Sequence, residues 1–113
     1  MSEGRKLCGF AVEMLLSIYG IVHQEVERLR TELLTVGERE RLKETVREHL
    51  DEMEVIIKTL PRACGVRPEV AEDMLEFPMR EAKKALEEGR YGDVDIALID
   101  MHVRLKDALK RES

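Results

Sequence analysis

The chain has 113 residues, enough for one domain (1–113) and one modest core. Its formal charge is −5, and its aromatic residues are only Phe10, Tyr19, Phe77 and Tyr91. Binding to nucleic-acid phosphates, which Lys and Arg drive, is therefore not expected, and neither is base stacking on an aromatic platform. Asn is absent, Gln occurs once (Gln24), and charged residues make up 38%. Many ionic groups and few heat-labile amides are the bias of heat-adapted proteins.

The first predicted helix runs from about Glu3 to Thr35 and is the longest. Its second half places Val22, Val26, Leu29, Leu33 and Val36 on one stripe. Its first half is apolar on all sides, from Leu7 through Val22, and such a helix must be covered all round. Leu7–Val22 is about 16 residues, short of the roughly 20 that cross a bilayer, and Glu13 interrupts it. No small-residue cleavage site follows it. The expectation is a cytoplasmic protein with no membrane segment. The longest helix would outrun its partners, which places Leu7–Val22 at a homodimer interface.

Thr35 and Glu38 have capping-box spacing and open the second helix, expected from about Glu38 to Leu60. Its stripe is Leu42, Val46, Leu50, Met53, Ile57 and Leu60, and Pro61 is expected to end it. Pro68 suits the first position of a third helix. Pro78 then removes a backbone donor in mid-helix, so a kink or break is expected there. Gly89 closes this helix. Asp93 is the predicted N-cap of a fourth, running from about Val94 to Lys110 with Val94, Leu98, Met101 and Leu105 inward. The fold class is all-α: an up-and-down four-helix bundle with a long first helix.

Catalytic signatures are few. Di-iron bundles need Glu-x-x-His on facing helices, and Gly20, Val46 and Ile99 stand three residues before His23, His49 and His102. Helical pyrophosphohydrolases carry Glu-x-x-Glu then Glu-x-x-Asp. Here Glu48-x-x-Asp51 precedes Glu69-x-x-Glu72, the reverse order, and a solvated acidic face accounts for Glu44, Glu48 and Asp51. The Arg-x(4–6)-His spacing of helical ribonuclease-like domains is missing. No glycine loop cradles a phosphate.

Two constellations remain. In an antiparallel pair of helices, Cys8 and Cys64 reach the same end of the bundle, which allows a disulfide beside the plainer reading of two separate thiols. His23, His49 and His102 fall at one level of an up-down bundle, where three imidazoles would suit Zn²⁺ with an open fourth position. Glu27 and Glu52, one turn from His23 and His49, are further candidate ligands. The functional expectation is a non-enzymatic homo-oligomeric scaffold or interaction protein with no cofactor. The alternative is a metal-dependent enzyme or metal-binding bundle holding Zn²⁺ at those histidines.

Overall fold

The computed structural model describes residues 2–112 of the chain, and the side chains of residues 6–110. Its helices are α1 (Ser2–Thr31), α2 (Val36–Cys64), α3 (Pro68–Ala71), α4 (Phe77–Glu87) and α5 (Tyr91–Glu112). A π-helical turn, Glu72–Glu76, joins α3 to α4 and makes them the third arm of a four-helix bundle. Each arm packs on two neighbours: α1 on α2 and α5, and α4 on α5 and α2. The molecule is 51 × 22 × 18 Å. Contrary to expectation, helix α1, with 30 residues, does not outrun α2, because α2 continues past Pro61 to 29 residues.

The stripes read from the sequence form the core. Leu42, Val46, Leu50, Met53, Ile57 and Leu60 of α2 face inward, as do Val94, Leu98, Met101 and Leu105 of α5. On α1 the buried line is Ala11, Leu15, Val22, Val26 and Leu29. No charged or polar side chain of the described residues is fully buried, so hydrophobic burial carries the fold.

The ends of the elements differ from expectation for local reasons. Helix α1 stops at Thr31, because Thr35 must be extended (φ −68°, ψ 164°) to accept the Glu38 N–H and complete the capping box. The Arg39 guanidinium reaches back and donates to the Leu29 carbonyl, filling an acceptor that the end of α1 leaves open. Leu33 and Val36, expected on the inner stripe, are exposed.

Pro61 does not end α2, which runs one further turn to Cys64. Pro61 removes its own donor and crowds the preceding turn, a cost that α2 bears one turn before its end. The helix closes at Gly65 (φ 70°), where the Gly65 and Val66 N–H groups both turn back to the Pro61 carbonyl. Helix α5 starts at Tyr91, so Asp93 lies in its first turn rather than capping it.

The irregularity expected at Pro78 is present and lies just upstream of it. The Phe77 N–H bonds to the Glu72 carbonyl, five residues back. Widening the preceding turn accommodates a residue that cannot donate, and Pro78 and Met79 stay buried on the resumed helix.

Cys8 and Cys64 are joined by a disulfide, with Cα atoms 4.9 Å apart. It ties the N-terminal part of α1 to the last turn of α2.

Candidate functional site

Tyr19, His23 and Glu27 recur every four residues and so occupy one flank of α1, beside the first turns of α5. Asp95, on α5, faces them. The His23 Nδ1 lies 3.0 and 2.9 Å from the two Asp95 carboxylate oxygens. The Tyr19 hydroxyl donates to Asp95 Oδ1 at 3.2 Å. The Asp95 side chain is mostly buried (13% exposed), whereas that of His23 is half exposed (47%). Asp95 is thus the fixed member and His23 the member open to solvent. Burial, then the Asp95 charge, then the hydrogen bond to Asp95 push the Tyr19 phenol up to about 12. Tyr19 therefore stays a donor across the neutral range.

Glu27 completes the cluster. Potential ligand atoms of His23, Glu27 and Asp95 all lie within 4.8 Å of one another. Arg30 donates to Glu27 Oε1 at 2.8 Å, and its guanidinium sits against Gly92, where a Cβ would come 3.8 Å from Nε. That is an ordinary contact distance, so the arginine lies against Gly92 without depending on the missing side chain.

The three histidines have separate hydrogen-bond partners, although the Tyr19 ring lies beside those of both His23 and His102. His49, on α2, places Nδ1 2.8 Å from Glu25 Oε1, on the flank of α1 that faces α2. His102, on α5, donates from Nδ1 to the Leu98 carbonyl at 2.8 Å. Its ring lies 4.9 Å from that of Tyr19, and its Nε2 is buried with no hydrogen-bond partner. His23 alone among them belongs to the cluster of three potential ligands, and His49 and His102 lie outside it. Glu52 is likewise no member. Asp95 and Tyr19 did not emerge as site residues from the sequence. The Tyr-x-x-x-His-x-x-x-Glu spacing was the available signal for Tyr19, and nothing local to Asp95 points at α1.

The acidic face of α2 behaves as a solvated ionic surface. Asp51 and Glu54 hold the Lys83 ammonium at 2.8 and 2.9 Å, and Glu44 and Glu87 share Arg47. The chain matches no known protein-family model, no curated protein and no solved structure. Function must therefore be read from these residues and from the surface.

The surface has one strong feature. Leu7, Phe10, Met14 and Ile21 of α1 are 61, 62, 40 and 47% exposed. With Ser17 between them they follow a 3-4-3-4 spacing, the a/d seam of a coiled coil, on a flank away from the Tyr19–His23–Glu27 line. A second apolar region, a groove of about 570 Å³ between α1 and α5, is lined by Val12, Leu16, His102, Val103, Leu105 and Leu109. By length and composition alone, Lys6–Thr31 is also apolar enough to cross a membrane.

Proposed function

We propose that the protein is a non-enzymatic helical scaffold that works as a cytoplasmic homodimer, joined through Leu7–Val22 of α1. The observation that carries this reading is the exposed a/d seam. A coiled-coil spacing specifies a helix as its partner, and a second copy of α1 supplies the same seam, so a two-fold axis covers both at once. Leu7, Phe10, Met14 and Ile21, each 40–62% exposed, form a continuous apolar strip that a partner helix would cover.

The packing of α1 favours this over a membrane span. Leu15, Val22, Val26 and Leu29 are fully or almost fully buried against the other helices. Inserting a span of about 20 residues beginning at Leu7 into a bilayer would pull Leu15, Val22 and Val26 out of that core and would immerse Glu13 and Glu25. The disulfide is compatible with a cytoplasmic setting in a heat-adapted cell, which the Asn-free composition supports.

Sedimentation velocity at micromolar concentration tests the reading. A dimer is expected, and Phe10→Glu with Met14→Glu should give a monomer of unchanged helicity. A wild-type monomer ends the proposal, as does flotation of the wild-type protein with phospholipid vesicles in place of self-association.

A further inference from the structure

We propose that His23, Glu27 and Asp95 form a binding site for one divalent transition-metal ion, represented by Zn²⁺, that bridges α1 to α5. The three residues bring one imidazole nitrogen and two carboxylates from two helices to one place, with candidate ligand atoms within 4.8 Å of one another. Ligands at about 2.0–2.2 Å around a tetrahedral ion stand roughly 3.3 Å apart. His23 and Asp95 stand slightly closer than that, hydrogen-bonded at 2.9 Å, and need to part by about 0.4 Å to admit the ion. Glu27, partly exposed on α1, needs a side-chain adjustment of up to about 1.5 Å to bring the cluster from within 4.8 Å to that spacing.

The charge balance favours a cation. Asp95 and Glu27 bring two carboxylates together, and the Arg30 guanidinium holds one of them, at Glu27 Oε1. The ion would bind the Nδ1 lone pair of the neutral His23 ring, in the tautomer that carries its one proton on Nε2, and its charge would be neutralised by the two carboxylates. Tyr19 holds Asp95 from behind through its hydroxyl, the outer-sphere bond that fixes a ligating carboxylate. An imidazole–carboxylate set suits Zn²⁺, Mn²⁺ or Co²⁺ better than Mg²⁺, which favours an all-oxygen octahedron. Three protein ligands leave a fourth position for water or a small anion. The site lies on a different flank of α1 from the dimer seam, so it stands or falls independently of the oligomeric state.

Titration of the tag-free, metal-stripped protein with ZnSO₄ in a calorimeter tests this. One Zn²⁺ per chain is expected, with His23→Ala and Asp95→Asn each weakening binding at least tenfold and His49→Ala leaving it unchanged. Circular dichroism establishes that each variant remains folded. A second readout does not depend on Zn²⁺ affinity. The chain has no Trp, so in a Tyr91→Phe background Tyr19 is the only aromatic emitter of note, and Co²⁺ should quench it. Asp95→Asn should remove that quenching. Absence of stoichiometric Zn²⁺ binding at micromolar concentration overturns the proposal and leaves the cluster a polar clasp between helices. So does binding that survives both His23→Ala and Asp95→Asn, or that is lost in His49→Ala.

Discussion

Cys8 and Cys64, 56 residues apart in the chain, are covalently joined where α1 passes the last turn of α2. The bond closes the α1–α2 hairpin opposite its own connection at residues 32–35, so the hairpin is held at both ends. A loop of this length removes denatured-state entropy worth about 4 kcal/mol in the chain-entropy account, and measured bonds commonly return about 2–4 kcal/mol. The oxidised protein should show no free thiol when denatured without reductant. Cys8→Ser with Cys64→Ser should lower the urea midpoint without changing the helical spectrum of the folded state.

How far the sequence carried depended on the range of the interaction. The core stripe of α2, six residues from Leu42 to Leu60, was legible because a 3.6-residue period is a local property. The capping box at Thr35 was legible for the same reason, but the extended backbone it demands was not followed back to the early stop of α1. Pro61 looks like a stop, yet the helix passes it, and the closure at Gly65 uses the Pro61 carbonyl as its acceptor, a pairing that depends on residues beyond the proline. The histidines were placed at one level by counting residues, and level does not fix rotation. His49 sits on the α2 side of α1 and pairs with Glu25, while His23 turns to α5 and pairs with Asp95. Asp95 was legible only as a charge near a helix start.

The Tyr19 phenol gives a pH signature. Its folded value lies near 12 and its ordinary value near 10, so the folded chain holds the proton over a range where the unfolded chain releases it. The stabilisation is complete below pH 10 and is lost as the pH rises from 10 through 12. In a Tyr91→Phe background, absorbance at 295 nm should report the Tyr19 midpoint near 12. Asp95→Asn should move it down only part of the way, because burial is the largest cause and remains. A midpoint unmoved by Asp95→Asn would show that the Tyr19–Asp95 bond is not made in solution.

Thr35→Ala isolates the capping box. The Thr35 hydroxyl accepts the Glu38 N–H at 3.1 Å, and the Glu38 carboxylate accepts the Thr35 N–H. Loss of a threonine cap typically costs about 1 kcal/mol. The Glu38 carboxyl is held below its ordinary value of 4.5, first by the Thr35 side-chain bond and then by the Thr35 backbone bond. That contribution is present above pH 4.5 and fades as the pH falls through the depressed value. The thermal midpoint of Thr35→Ala should therefore lie below that of the wild type near neutral pH, and the gap should narrow in acid.

His102 offers the sharpest test of how polar groups are tolerated in this bundle. Its Nδ1 donates to the Leu98 carbonyl, which fixes the proton on that nitrogen and leaves Nε2 as an acceptor. Nε2 is buried and receives no bond, and a buried unsatisfied acceptor costs about 1–3 kcal/mol. The Leu98 carbonyl also has the ordinary helical acceptor role toward residue 102, so it is not orphaned when the imidazole is removed. His102→Phe deletes the unsatisfied nitrogen and keeps an aromatic ring for Tyr19, whose centroid lies 4.9 Å away. The added volume has somewhere to go, because His102 lines the groove between α1 and α5. The variant should match or exceed the wild-type urea midpoint with an unchanged slope. A fall of more than about 1 kcal/mol would mean that Nε2 is satisfied in solution, by ordered water in the groove or by a ligand bound there. His102→Gln separates those two cases, since a ligand at Nε2 would raise the midpoint of the wild type alone as its concentration increases.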